Sequence, residues 1–254
     1  MLKPIISAQL YSVHNYTKTE QEIAQTLKKI KECGYDDVQI SSFGPCSVDF
    51  LKEHLEKNKL TSFGTHSSYE RIVNDTDALI KEHKMLDMQY IGLGWCKCED
   101  KEQTLSFIKE ISPAIKKIKD AGLHFIYHNH NHEFARLEDG TTMMETILKY
   151  TDPLYFGLEI DTHWLQSAGV SCEKFLLDNA ERIQVIHLKD FMLSSSLERR
   201  YAVIGEGNMD FESIMKRATK QGVKYCAVEQ DNCYGENPFD CLKRSRINLL
   251  KMGY

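Results

Sequence analysis

An alternation of short β-rich runs with longer amphipathic stretches repeats eight times along the chain, and this repeat restricts the fold more than any other feature. The short runs are rich in the β-branched and aromatic residues that strands prefer. Eight strand–helix units within 254 residues are typical of a closed (β/α)8 TIM barrel, which ordinarily takes about 250 residues. We therefore predict a single TIM-barrel domain over residues 1–254, with strands at residues 5–12, 36–42, 61–67, 90–95, 124–130, 155–161, 183–190 and 225–231.

The stretches between the predicted strands carry helix start and stop signals. Thr19 is a candidate N-cap, and apolar residues recur at three- and four-residue steps in the stretch that ends at Gly122. Pro113 lies inside this stretch and is predicted to kink or split the helix. Gly34, Gly122 and Gly222 each come shortly before a predicted strand, which is the position expected of a helix C-cap.

Motif content separates the barrel from its main alternative, an open doubly wound sheet. Such sheets commonly bind nucleotides through a G-x-G-x-x-G or G-x-x-x-x-G-K-[ST] loop, and the sequence contains neither. The net charge of −5 disfavours a nucleic-acid partner, which usually requires a basic face. A small molecule is therefore the expected partner. No apolar run approaches the roughly 18 residues of a membrane span, so no membrane association is expected.

The eight cysteines are interpreted as reduced thiols. The chain begins without an apolar leader, and a chain of this size does not need disulfides to stabilise its core. We therefore expect a cytoplasmic protein. Cys96 and Cys98 form a C-x-C pair without a second pair at matching spacing, and we interpret them as structural.

Polar pairs end each of the last four predicted strands. In a barrel, active groups lie at the C-terminal ends of strands, and residues two apart share a face. Helix capping explains one such end but not four in succession. The mixture of carboxylates and imidazoles suits Mn²⁺, Mg²⁺, Co²⁺ or Zn²⁺, and the lack of a thiolate argues against a structural zinc. The pairs are His128 and His130, Glu159 and Asp161, His187 and Lys189, and Glu229 and Asp231.

The segments YHNHNHEF, LEIDTHW, VIHLKDF, VIGEGNMDF and AVEQD resemble the sugar phosphate isomerase/epimerase family, whose barrel is xylose isomerase-like. AQLYSVH at the first strand resembles the family's QLYSVR opening, with His14 in place of the arginine. The motifs keep the family's order from the first strand to the last helix. The resemblance implies one divalent metal ion, with manganese preferred and Mg, Co or Zn as alternatives. By position its ligands are Glu133, Asp161, His187 and Glu229.

The ligand from the fifth strand has three candidates. The ketose 3-epimerases and hydroxypyruvate isomerases of this family carry a glutamate at the strand tip, where this chain has His128. In the YHNHxxEF branch the glutamate comes five residues later, at Glu133. His128, His130 and Glu133 therefore compete for one coordination position, and we prefer Glu133.

The resemblance implies a sugar isomerase or epimerase. A bound divalent ion polarises a carbonyl and stabilises the enediolate formed when the adjacent proton leaves, and Glu133 and Glu229 are the implied base and acid. The residues do not choose between this reaction and a lyase on the same scaffold, such as an inosose dehydratase or a 3-keto-glycoside eliminase. A phosphodiesterase of the apurinic endonuclease type is disfavoured by the acidic charge. A sugar sensor without enzymatic activity is a further alternative.

Other polar and aromatic side chains near the strand ends are candidate substrate contacts. Lys189 could equally form an ion pair with Asp161 or Glu229 instead of contacting substrate. His66 could equally be a hydrogen-bonded core residue. The polar loop 194–208 is either a lid that brings Arg199 and Arg200 to an anionic substrate or a solvated loop. Barrels of this kind often pair, so a homodimer is also expected. The substrate-binding candidates are His66, His128, His130, Trp164, Lys189, Gln9 and Tyr11, with Trp95 as a rim residue.

Overall fold

Eight parallel strands close into a barrel in the computed structural model, which describes residues 2–254. The strands are β1 Ile5–Gln9, β2 Asp37–Ile40, β3 Thr61–Ser67, β4 Tyr90–Leu93, β5 His124–His128, β6 Phe156–Asp161, β7 Ile183–Leu188, β8 Asp190–Leu193, β9 Arg199–Ala202 and β10 Tyr225–Val228. The barrel order is β1-β10-β7-β6-β5-β4-β3-β2, and β8 and β9 form an antiparallel hairpin between β7 and β10. The predicted (β/α)8 barrel is confirmed, and the open sheet is excluded.

Helices cover the outside of the barrel, and their ends follow the signals in the sequence. Thr19 and Glu22 form a capping box at the start of the first helix, and Gly222 ends a later one at φ +74°. Among residues 2–254, none of the helices combines the length and apolar composition needed to cross a bilayer. The helices are α1 Glu20–Glu32, α2 Val48–Lys57, α3 Tyr69–Asn74, α4 Thr76–Met85, α5 Lys101–Asp120, α6 Met143–Tyr150, α7 Thr162–Ser167, α8 Cys172–Asp178, α9 Phe211–Gln221 and α10 Pro238–Lys251.

The structure differs from the sequence predictions at three local points. Pro113 does not split α5, which runs unbroken to Asp120 because its buried face, including Ile111 and Ile115, is held against the barrel. The first predicted strand ends at Gln9, whose side chain accepts a hydrogen bond from the backbone N–H of Tyr11 and starts a 3-10 helix. The loop 194–208, predicted as either a lid or a solvated loop, contains strand β9, which pairs with β8 in an antiparallel hairpin.

The barrel interior has an apolar lower layer and a polar upper layer. Phe63, Tyr90, Ile126 and Val185 pack together in the lower layer with Ala227, and all are buried. Burying such a side chain contributes about 1.5–3 kcal/mol each, so this layer stabilises the closed sheet. The upper layer holds amide, carboxylate and imidazole side chains, and it forms the floor of the site described below.

Asp37 is a buried carboxylate at the opposite, N-terminal end of the barrel. It accepts hydrogen bonds from Ser7 Oγ and Thr61 Oγ1, each at 2.5 Å. Burial raises the pKa of Asp37 to about 7, although these hydrogen bonds act to lower it. The folded protein therefore holds a proton on Asp37 at pH values where the unfolded chain, with an ordinary pKa near 3.8, does not.

We predict that Asp37→Asn flattens the pH dependence of stability. Because the folded-state pKa is raised, the contribution of Asp37 to the free energy of unfolding falls as pH rises from about 4 to about 7. Asparagine does not ionise in this pH range, so its contribution to the free energy of unfolding does not change with pH. Urea denaturation at pH 5 and pH 8 should show a larger decrease for the parent protein than for the variant. Equal decreases in the two proteins would contradict the prediction.

Candidate active site

Four buried side chains converge where strands β5, β6, β7 and β10 end. His128, Asp161, His187 and Glu229 each offer a ligand atom, and these atoms all lie within 4.8 Å of one another. Asp161 and His187 are fully buried, and Glu229 is 5% exposed. The structure therefore brings together three of the four residues expected to bind a metal, with His128 as the fourth member of the group. We call these four residues the floor cluster.

Glu133 lies outside the floor cluster. It is buried in a short 3-10 turn, His132–Phe134, and accepts hydrogen bonds from Tyr127 Oη and the backbone N–H of His130, both at 2.8 Å. The Tyr127 ring packs near Phe107 on the helix side of the barrel. Both carboxylate oxygens of Glu133 are thus engaged in holding the loop after β5. Its placement differs from the expectation, because Glu133 groups with His130 and His132 rather than with the floor cluster.

The floor cluster fits a divalent cation. Nε2 of buried His128 lies 3.5 Å from Asp161 Oδ2, and neither ring nitrogen of His128 has a hydrogen-bond partner within residues 2–254. Leaving such groups unpaired typically costs about 1–3 kcal/mol each, so a ligand that uses them is favoured. Glu159, Asp161 and Glu229 also bring three carboxylates into the same buried region. Imidazole and carboxylate donors around an excess of negative charge match Mn²⁺ or Zn²⁺ chemistry.

Lys189 places an ammonium group beside the floor cluster. Its Nζ lies 3.1 Å from Asp161 Oδ2, 2.9 Å from Glu229 Oε2 and 3.0 Å from Asp231 Oδ1. Burial would lower the pKa of Lys189, but the three carboxylates outweigh it and raise the pKa well above its usual value. Lys189 therefore forms the ion pairs that were predicted as one alternative. Its positive charge offsets part of the negative charge of the site. Its Nζ also lies 5.5 Å from the centre of the Trp164 ring.

A hydrogen-bonded layer beneath the floor cluster orients His187. Nε2 of His187 lies 2.7 Å from Gln39 Oε1, and Nδ1 lies 2.9 Å from Glu229 Oε2. Gln9 Nε2 also donates to Gln39 Oε1, and Gln39 Nε2 donates to Glu159 Oε1. Burial would lower the pKa of His187, but Glu159 and Glu229 raise it to about 10. Gln9, expected to contact substrate, is fully buried in this layer instead.

His66 reaches across the mouth of the barrel from β3 to β6. Its Nε2 lies 2.5 Å from Glu159 Oε2. Burial would raise the pKa of Glu159, but His187 and His66 lower it well below its usual value. Space for the ring exists because two glycines lie beside it, Gly92 in β4 and Gly94 just after the strand. A Cβ on Gly94 would lie 2.7 Å from His66 Nδ1, and one on Gly92 would lie 2.9 Å from His66 Cδ2.

Sequence reasoning missed Gln39 and assigned no role to Glu159. Gln39 sits in the otherwise inconspicuous strand segment DVQI, and only its hydrogen bonds to residues far along the chain identify it. Glu159 carried a usable signal, because it lies two residues before Asp161 on the same strand face.

A cavity of about 630 Å³ opens above the floor cluster. Tyr11 and Trp95 lie on its wall, and Trp95 is 57% exposed. Arg199 and Arg200 are absent from the wall; Arg200 instead pairs with Glu198 at 2.9 Å. The lid alternative, in which the loop brings these arginines to a ligand, is therefore not reflected in the structure. The polar residues of the wall are His66, Glu70, Lys97, His128, His130, Lys189, Glu229 and Asp231, together with four serines and the tyrosines Tyr11 and Tyr69.

A family model described as xylose isomerase-like TIM barrel matches residues 27–239. Among solved structures, a sugar phosphate isomerase/epimerase from Parabacteroides distasonis ATCC 8503 superposes with a TM-score of 0.82 at 24% identity, covering 98% of each chain. The IOLI protein with a binding zinc atom superposes with a TM-score of 0.72 at 13% identity, covering 98% of this chain and 97% of its own.

One curated relative is similar over part of its length. Inosose dehydratase of Bacillus anthracis (strain CDC 684 / NRRL 3495) is 27% identical over 148 residues, which are 52% of this chain and 48% of the relative. The match thus spans about half the length of this relative, and the similarity does not extend to the whole protein.

We predict that Gly94→Ala destabilises the protein by forcing the His66 ring off Glu159. The added methyl would lie 2.7 Å from His66 Nδ1, and overpacking of this kind typically costs about 1–3 kcal/mol. In a His66→Ala background the ring is gone, so the same substitution should cost much less. Urea denaturation of the four proteins in this double-mutant cycle measures the coupling. An equal cost in both backgrounds would show that the ring is not the obstacle.

Proposed function

Because the chain belongs to the xylose isomerase-like TIM barrel family, we propose that it is a metal-dependent sugar isomerase or epimerase. It would move a proton next to the carbonyl group of a sugar or sugar derivative. The observation that carries this proposal is the floor cluster, in which four buried metal-type donors meet beside an open cavity whose wall includes His128 and Glu229. The name of the Parabacteroides distasonis structural neighbour, a sugar phosphate isomerase/epimerase, is consistent with it.

One divalent ion would be held by His128, Asp161, His187 and Glu229. The ion would act as a Lewis acid towards a bound carbonyl oxygen. His128 replaces Glu133 in our proposed ligand set, since Glu133 is hydrogen-bonded in a loop away from these atoms. The IOLI neighbour, described with a binding zinc atom, supports a metal on this scaffold, and we propose manganese, as the family resemblance implies, with zinc as the alternative.

The proton would be moved between two groups on opposite walls of the cavity. Glu229 lies at the β10 side, where burial would raise its pKa but Lys189 and His187 lower it well below the usual value, so it is ionised and can accept a proton. His66 lies on β3 across the mouth, and Glu159 orients its ring. A carboxylate and a carboxylate-oriented imidazole facing each other provide one proton acceptor and one proton donor.

Lys189 and the aromatic residues would position the substrate. The Lys189 ammonium pairs with Asp161, Glu229 and Asp231 and would hold these carboxylates in position before substrate binds. Trp95 offers an exposed ring at the rim, where the C–H face of a sugar can pack. Substrate that covers the floor cluster would also exclude water from it, which strengthens every charge interaction there.

A lyase that eliminates water is the second candidate. The similarity to inosose dehydratase over 148 residues favours it, and the first step, removal of a proton beside a carbonyl, is the same. Product analysis separates the two: an isomerase returns the proton to the carbon skeleton, whereas a dehydratase releases water and leaves an unsaturated or keto product.

We predict that the protein exchanges substrate C–H protons with solvent and that Glu229→Gln reduces this exchange. Incubation in D₂O with ketoses, keto-glycosides and inososes, followed by mass spectrometry, detects the incorporated deuterium. A positioned acid or base typically contributes about 10²–10⁴-fold in rate, so the variant should lose that much. Glu133→Gln is the matched control, and we expect it to lose far less. Loss of exchange with Glu133→Gln but not with Glu229→Gln would contradict the assignment.

We predict that His128→Ala and Asp161→Asn weaken Mn²⁺ or Zn²⁺ binding by about tenfold or more, because each removes a donor from the set. Titration calorimetry of the metal-free protein measures this directly and does not depend on activity. Glu133→Gln should bind the ion with nearly the parent affinity. If Glu133→Gln lost the metal and His128→Ala kept it, the ligand set proposed here would be wrong.

A further inference from the structure

We propose that the site has a second sugar-binding subsite, so that the substrate is a disaccharide or glycoside rather than a single sugar. The subsite lies where strands β2 and β3 end, and Ser67 is its central residue. This inference rests on the proposed function for the identity of the ring at the floor cluster. It adds the class of the substrate and the residue that selects it.

The cavity above the floor cluster continues into a second cavity of about 590 Å³. Pockets of roughly 300–1,000 Å³ hold drug-sized ligands, so the first cavity alone exceeds the need of one sugar ring. Strand β3 lies four strands from β7 in the barrel order, so the residues at the end of β3 lie across the mouth from Lys189, which follows β7. The continuous space therefore leads outward from the floor cluster. The wall shared by the two cavities consists of Ser41, Ser42, His66, Ser67 and Ser68.

A chain of hydrogen bonds fixes the direction of the Ser67 hydroxyl. His83 Nδ1 lies 2.8 Å from the carbonyl oxygen of Leu79, which can only accept, so Nδ1 carries the hydrogen. His83 is buried, and burial lowers its pKa, so the ring is neutral and its Nε2 is an acceptor. Thr65 Oγ1, at 3.0 Å, must therefore donate to Nε2. The remaining contact, Thr65 Oγ1 to Ser67 Oγ at 3.0 Å, then requires Ser67 to donate to Thr65.

Ser67 consequently presents only lone pairs to the cavity. A ligand group opposite it must donate a hydrogen bond, as a sugar hydroxyl does, whereas a carboxylate, a phosphate dianion or a carbonyl offers only acceptors. Two further features fit a built subsite. Trp95 exposes its ring on the same cavity wall, and Ser42 holds a left-handed backbone at φ +56°, a strained conformation that occurs preferentially at functional sites.

The test compares the binding of D-fructose with that of the glucosyl-fructose disaccharides turanose and palatinose, by titration calorimetry of the full-length protein with Mn²⁺. We expect at least one disaccharide to bind about tenfold more tightly than D-fructose. Ser67→Ala should lower the disaccharide affinity about three- to tenfold, the effect of one lost hydrogen bond, and leave D-fructose binding unchanged. Ser112→Ala, a serine substitution on α5 that lines neither cavity and whose hydroxyl donates to the carbonyl oxygen of Ile108, is the control.

Thr65→Val and Thr65→Ser test the direction of the hydroxyl. The valine removes the acceptor of the Ser67 hydrogen and should weaken disaccharide binding, while the serine keeps the acceptor and should restore it. The proposal is overturned if neither disaccharide binds more tightly than D-fructose, or if Ser67→Ala weakens all ligands equally. Solvent deuterium exchange is measured separately. Selective disaccharide binding without exchange would contradict the proposed function but would still support the subsite.

Discussion

Three carboxylates, Glu159, Asp161 and Glu229, are buried together at the mouth of the barrel, and the organisation of the site depends on how their charges are compensated. A buried charge without a partner is strongly unfavourable, so cationic and hydrogen-bonding groups must be held against each oxygen. Lys189 and His187 supply positive charge from β7, and Gln39 and His66 supply further contacts from the other side of the barrel. Each partner is in turn fixed by its strand, which makes the barrel and its site mutually dependent.

The division of the interior into two layers separates stability from chemistry. Phe63, Tyr90 and their neighbours fill the lower layer and supply the apolar burial that holds the strands together. The polar upper layer contributes little such burial. It can be maintained only because the layer below it is closely packed and the strands that carry both layers are continuous.

The strand periodicity predicted the barrel and the polar pairs at four neighbouring strand ends, because residues two apart share one face, and the family resemblance implied that Asp161, His187 and Glu229 meet there. The resemblance also implied Glu133, which follows a strand by five residues and whose position depends on how the loop packs against Tyr127. Gln39 and the His66–Glu159 contact were also inaccessible, since they join strands that are not neighbours in the barrel. Periodicity gives the face of a residue but not its partner across the barrel.

The floor cluster comes from β5, β6, β7 and β10, in the second half of the chain, whereas the wall that contains Ser41, Ser42 and Ser67 comes from β2 and β3, in the first half. Under the proposed function, the metal donors and the ligand-selecting serines are thus encoded in separate stretches of the gene, while His66, a proposed proton-transfer group, lies in the first stretch. Mutation or recombination around Ser41, Ser42 and Ser67 can alter which molecule is accepted while the metal donors are inherited unchanged. Such modularity would let one ancestral barrel diversify by exchange of a few loops.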